Sequence, residues 1–185
     1  ESIMVVDTGM GPRNAELVLQ EVRIISDLPV AYLAITHFHP EHGMGAQSFP
    51  AETRIIVPQA QKLELAEKGE SYIDFFSGMS PEISELLSEV KLVSADITFE
   101  KEISVDLGGL IVKILYFHAA HTRGDMFIYL PDQKLLFGGD IIVDRFFPIM
   151  PDEDSSVLGW MKSLKKLKAL KPEIVVPGHG SVSDV

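Results

Sequence analysis

The chain has 185 residues, 46% of them hydrophobic, with a mean hydropathy of +0.17 and a formal net charge of −11. That length and apolar content suit one globular domain, residues 1–185, with a real core rather than a disordered chain. The charge disfavours a nucleic-acid backbone or an anionic membrane as partner, and without cysteine any metal must sit on nitrogen and oxygen donors.

The first residue, Glu1, is not an initiator methionine, and Ile3-Met4-Val5-Val6 reads as a strand running into the turn Asp7-Thr8-Gly9. Strands or a targeting segment are therefore expected upstream. Residues 12–26 place Ala15, Val18, Leu19, Val22 and Ile25 at helical spacing. Residues 31–36 form the next strand and deliver His37. Pro40 suits the first position of a helix and biases His39 towards extended backbone, so Glu41 and His42 fall in the first helical turn. The positive end of that helix favours a bound anion.

Residues 54–57 are another strand, followed by a helix to about Lys68, and a second helical segment opens at Ser80-Pro81-Glu82. Leu107-Gly108-Gly109-Leu110 is a tight turn between strands 103–107 and 110–117; strands 126–130 and 134–137 form a second hairpin. Residues 154–170 carry Leu158, Met161, Leu164 and Leu167 on one face and lysines on the other. The last strand ends at His179. Alternating strands and helices indicate the α/β class. No apolar run reaches the length of a membrane span, and a cytoplasmic location is favoured.

Three of the six histidines and a carboxylate fall within Thr36-His37-Phe38-His39-Pro40-Glu41-His42-Gly43. Imidazole and carboxylate are the donors that zinc and its neighbours prefer. His118 and His121 follow one apolar run, Asp140 follows Leu135-Leu136-Phe137-Gly138-Gly139, and His179 follows Ile174-Val175-Val176-Pro177-Gly178. Donors repeatedly placed just past strand-like runs are what a metal site at one edge of a sheet requires.

In this order the segments resemble the metallo-β-lactamase-fold hydrolase superfamily, whose signature is His-x-His-x-Asp-His, a distal His, a bridging Asp and a final His. The matching positions are His37, His39 and His42, then His121 in His121-Thr122-Arg123-Gly124-Asp125, Asp140 and His179, with Asp7-Thr8-Gly9 matching a further segment. The resemblance implies an αββα sandwich of two mixed sheets with helices on the outer faces, here lacking the N-terminal strands. It also implies two zinc sites, with iron or manganese as alternatives: His37, His39 and His121 at the first, His42, His179 and Glu41 at the second, and Asp140 bridging. Glu41 departs from the family's Asp. Its extra methylene moves the carboxylate by about an ångström, so the second site is expected to be the weaker. Glu41 and Asp140 are the expected catalytic carboxylates.

Around this set, His118 is read as an outer partner or an ordinary strand-end histidine, and Arg123 as a substrate clasp or a structural ion pair. Asp7 and Asp125 are read as supports for turns or for ligand histidines. Tyr72, Phe75, Phe76 and Met79, with Phe146, Phe147, Ile149 and Met150, are read as either an apolar mouth or core and dimer contacts. The expected activity is a metal-dependent hydrolase in which a metal-bound water cleaves a small ester, thioester, lactone or lactam. Asp140 favours the thioesterase-like (glyoxalase II-like) members. With few residues after His179, that enzyme's glutathione-binding helices are not expected. The alternative is a mononuclear-iron enzyme resembling persulfide dioxygenases. The expected partner is a small-molecule substrate, with a homodimer as the candidate assembly.

Overall fold

The computed structural model describes residues 1–150 and 153–184. Its elements run β1 (Ile3–Val6), α1 (Gly11–Ile25), β2 (Val30–Ala34), α2 (Pro40–Gly43), β3 (Arg54–Pro58), α3 (Gln59–Ser77), α4 (Pro81–Leu87) and β4 (Ile97–Phe99). There follow β5 (Glu102–Asp106), β6 (Ile111–Tyr116), β7 (Met126–Leu130), β8 (Leu135–Phe137), α5 (Val157–Ala169), β9 (Ile174–Val176) and β10 (Ser183–Asp184). The strands form one sheet of order β1-β2-β3-β4 and another of order β10-β9-β8-β7-β6-β5. This is the two-sheet α/β architecture expected. Two compact units divide the chain: Glu1–Val57 with Lys62–Thr98, and Pro58–Gln61 with the chain from Phe99 onward.

In the first unit β1, β2 and β3 are parallel, which requires a crossover; α1 supplies it between β1 and β2. Its Ala15 and Leu19 join Val5, Leu33, Ile35, Phe49, Ile55 and Val57 in a buried cluster. Gly11, at φ +73, brings the start of α1 against α4, where a Cβ would lie 2.2 Å from the Leu86 carbonyl oxygen. Helix α4 opens as its sequence suggests, with Pro81 in the first turn and Ser80 Oγ accepting the Ile83 N–H at 3.2 Å. Helix α3 outruns the expected end near Lys68 and takes in Tyr72, Phe75 and Phe76. Gly69 does not stop it, because a Cβ there would meet the Leu92 side chain at 2.6 Å and close packing offsets its low helix propensity.

In the second unit β5 to β8 form an antiparallel meander, and β9 joins β8 in parallel after α5. The buried cluster here includes Leu115, Phe127, Leu136, Trp160, Leu167 and Val175. Helix α5 begins later than its expected start at 154, because Ser156 Oγ caps it by accepting the Gly159 N–H at 3.1 Å. Strand β5 is the outer edge of the sheet, with Glu102, Ser104 and Asp106 exposed. The expected final strand stops early: β9 ends at Val176, and the short β10 pairs antiparallel to it. The chain leaves the ladder because Gly178 donates its N–H to the carbonyls of Gly139 at 2.9 Å and Ile142 at 3.0 Å. No described helix is long and apolar enough to cross a membrane.

Candidate metal centre

In the first unit the donors follow β2. Residue His39 is extended at φ −59 and ψ 152, as a residue before proline should be, and Glu41 and His42 occupy the single turn of α2. That turn is too short for a large dipole, so the expected anion-favouring end contributes little. The His37 ring centroid lies 4.6 Å from that of His39 and 4.2 Å from that of His42. A ligand atom of His37 lies within 4.8 Å of one on His39 and of one on His42, and Glu41 and His42 bear the same relation. All three histidines are buried, while Glu41 is half-buried.

Asp7 organises this group. Its backbone is left-handed, at φ 62, and its Oδ1 accepts the Thr36 N–H at 2.7 Å. Its Oδ2 lies 2.8 Å from His42 Nδ1 and accepts the Thr36 hydroxyl at 2.9 Å. A carboxylate only accepts, so His42 carries its proton on Nδ1 and presents Nε2 as the ligand atom. The Thr36 hydroxyl proton is directed at Asp7. Its oxygen therefore accepts from His37 Nδ1 at 3.2 Å, and His37 too presents Nε2. One aspartate thus sets the tautomer of two candidate ligands, an outer partner of the kind metal-bound histidines need. Thr8 completes the clamp: its N–H donates to the His42 carbonyl at 2.7 Å, and its hydroxyl accepts the Gly45 N–H at 2.9 Å.

In the second unit the donors sit in three loops. Asp140 lies on a 3-10 turn (Gly139–Ile141), and its Oδ2 is 3.6 Å from His121 Nε2 and 3.3 Å from His179 Nε2. One carboxylate oxygen between two imidazoles is a suitable geometry for a shared ligand. Gly178 permits it, since a Cβ there would lie 2.0 Å from Asp140 Oδ1. His121 donates Nδ1–H to the Ile149 carbonyl at 2.8 Å, so it also presents Nε2. Asp125 shapes its loop by accepting the N–H groups of Ala120, His121 and Thr122 at 2.8–3.1 Å and the Thr122 hydroxyl at 2.8 Å.

The residues with weaker claims now separate. Arg123 pairs with Asp154 at 2.9 Å, the structural reading of that side chain. His118 is exposed, and its pKa is lowered by desolvation and by Lys166 and Lys162. Asp7 and Asp125 support histidines and turns. Residue type and spacing assign no separate role to Thr8, Thr36, Ser155, whose hydroxyl donates to the His121 carbonyl at 2.8 Å, or Trp160, whose ring lies 5.9 Å from that of His121. Only the Asp7-Thr8-Gly9 and Thr36-His37 juxtapositions carried a signal for any of them. The donors fit a divalent zinc-like ion: imidazoles that are buried except at the exposed His179, with Nε2 presented by His37, His42 and His121, together with carboxylates and no thiolate.

The family model of the metallo-beta-lactamase superfamily matches residues 1–179, and the chain belongs to that superfamily. It is 26% identical over 212 aligned residues to a linear primary-alkylsulfatase from a Pseudomonas species, covering 97% of this chain and 40% of that protein. It is 31% identical over 99 residues to a type 2 metallo-beta-lactamase from Bacteroides fragilis, covering 52% of this chain and 40% of that one. The chain therefore spans less than half the length of these relatives. Among solved structures, a metallo-beta-lactamase from Pontibacter korlensis superposes with a TM-score of 0.75 at 24% identity, over 100% of this chain and 77% of that one.

Proposed function

We propose that this chain carries a metal-dependent hydrolase activity towards a small ester, thioester, lactone or lactam. In this reading His37, His39 and His121 hold one ion, His42, His179 and Glu41 the other, and Asp140 is shared. Zinc suits the donors best. The observation that carries the reading is Asp140 Oδ2 held within 3.6 Å of both His121 Nε2 and His179 Nε2.

When bound, the metal supplies a Lewis acid that brings the pKa of water towards neutrality and polarises the oxygen of the scissile group. The chain's own residues supply position and proton handling. Asp7 holds His42 directly and His37 through Thr36, and the Ile149 carbonyl holds His121, so three imidazoles are oriented before any ligand arrives. Glu41, half-buried beside His42, accepts the proton of the attacking water at its carboxylate. Asp140, a carboxylate between the His121 and His179 imidazoles, moderates the positive charge of the loaded site. A carboxylate in this place supports ester and thioester cleavage over lactam cleavage. The relation to an alkylsulfatase adds sulfate esters to the substrates worth testing.

The test is elemental analysis of the purified protein together with a panel of ester, thioester, sulfate ester and lactam substrates. Zinc at one to two equivalents, with ester or thioester turnover lost in Asp140→Asn, is the expected result. Iron as the native metal would overturn the zinc reading, and lactam as the preferred substrate would overturn the preference for esters and thioesters.

A further inference from the structure

The second unit contains a cavity of about 670 Å³, within the range usual for small-molecule sites. Strands β8 and β9 line it with Leu136 and Val175, and helix α5 with Leu164 and Leu167. None of the proposed metal ligands lines it. Two lysines interrupt the apolar lining: Lys168 in the last turn of α5 and Lys171 just after it. No carboxylate among the described residues joins them there. Spacing alone puts the lysines of this helix on the face opposite its leucines, yet Lys168 lines the same cavity as Leu164 and Leu167.

The charge of these two side chains is unanswered in an acidic chain. With 27 Asp and Glu against 16 Lys and Arg, carboxylates are plentiful, and in the same unit Lys134 pairs with Glu173 and Arg123 with Asp154. Among the described residues no ion pair engages Lys168 or Lys171. Lys171 also stands where glycine is the usual occupant, in the left-handed region at φ 52 directly after the helix end. The carbonyl end of α5 adds about half a negative charge nearby, which two ammonium groups outweigh. Both lysines are exposed, so their stems can lie along the apolar lining with the charged heads in water.

We infer that this cavity binds the monomer of a single-chain amphiphilic acid, a linear alkyl carboxylate, with the chain against Leu136, Leu164, Leu167 and Val175 and the carboxylate between Lys168 and Lys171. A neutral apolar ligand would leave the two ammonium groups unanswered, and a small inorganic anion would leave the apolar lining wet. Only a ligand with both parts matches the lining. The inference stands apart from the hydrolase reading, since it uses none of the donor residues. Full burial of a methylene raises affinity by about fourfold, and a cavity open to water realises roughly half of that free energy, or about twofold per methylene.

The experiment titrates the purified chain calorimetrically with n-alkyl carboxylates of four, eight and twelve carbons, kept below their micelle concentrations, with and without saturating zinc. Affinity should rise by on the order of tenfold for each four carbons and be the same in both metal states. The double variant Lys168→Gln with Lys171→Gln should weaken octanoate by about five- to tenfold and leave 1-octanol binding unchanged, the loss fitting two exposed charge contacts. Leu164→Ser should flatten the dependence on chain length. Lys162→Gln, exposed on α5 outside the cavity, should alter neither. Binding that requires zinc would assign the carboxylate to the metal centre and overturn the inference. Affinity that is flat with chain length, or unmoved by the lysine pair, would overturn it as well. So would binding to anionic lipid vesicles without binding to the monomeric acid, or sedimentation showing a dimer that Leu164→Ser dissociates, which would give the cavity to a second copy of the chain.

Discussion

Asp7 Oδ2 lies 2.8 Å from His42 Nδ1, and the same oxygen accepts the Thr36 hydroxyl that in turn orients His37. One side chain outside the donor set therefore governs two of its members. Asp7→Asn tests this cleanly, because asparagine tolerates the left-handed backbone that Asp7 adopts. Its amide can replace only part of the acceptor array. Zinc affinity should fall by about 10- to 100-fold, the range for lost outer partners, with little change in far-ultraviolet circular dichroism. Unchanged affinity in a chelator competition would show that Asp7 serves the backbone alone.

Gly178→Ala should act through Asp140. A methyl there would stand 2.0 Å from Asp140 Oδ1, so the carboxylate or the Gly178 segment must shift. Bound metal is expected to fall towards one equivalent and turnover by on the order of 10²-fold. Ser181→Ala, on the same loop, should leave both unchanged, and metal analysis of the two variants decides the matter.

The carboxylate of Glu41 can be separated from its length. Glu41→Asp should tighten the weaker metal if the extra methylene is what loosens it, whereas Glu41→Gln should keep the fold and lose most turnover, since an amide accepts no proton at neutral pH. Full turnover by Glu41→Gln would assign the proton to another group.

Asp125 accepts from three backbone N–H groups and one hydroxyl while only 3% exposed. Asp125→Ala leaves these donors buried, and unfolding by urea should show a loss of about 2–4 kcal/mol, consistent with several charged hydrogen bonds partly replaced by water.

His118 should titrate below the ordinary histidine value, because desolvation and the charges of Lys166 and Lys162 disfavour its protonated form. Its folded pKa is depressed, so its contribution to stability is present above the unfolded value and is lost as pH falls through the folded one. Lys166→Met should move the His118 resonance titration upward; a static midpoint would show that Lys166 contributes nothing to the shift.

The legible parts of this molecule were local. Pro40 announced both the extended His39 and the helical turn bearing Glu41 and His42. The role of Asp7 was visible only as a choice between two supports, because its contact with Thr36 depends on strand order. Parallel pairing of Val6 with Ala34 brings the residues after β1 beside those after β2, and no spacing along the chain encodes that. The length of α3 was missed for a similar reason, since Gly69 reads as a break until Leu92, distant in sequence, packs against it. The two-residue β10 has no pattern to detect.

Strand β5 closes one side of the six-stranded sheet, and an edge strand offers its open backbone to any other chain that meets it. Here that row is guarded by like charge: Glu100 and Glu102 at one end and Asp106 at the other, with only Lys101 of opposite sign. Two neighbouring molecules approaching edge to edge would bring these carboxylates together. The acidic balance of the chain therefore works as a solubility device at one open edge of the fold, and acidification that neutralises the edge should release it.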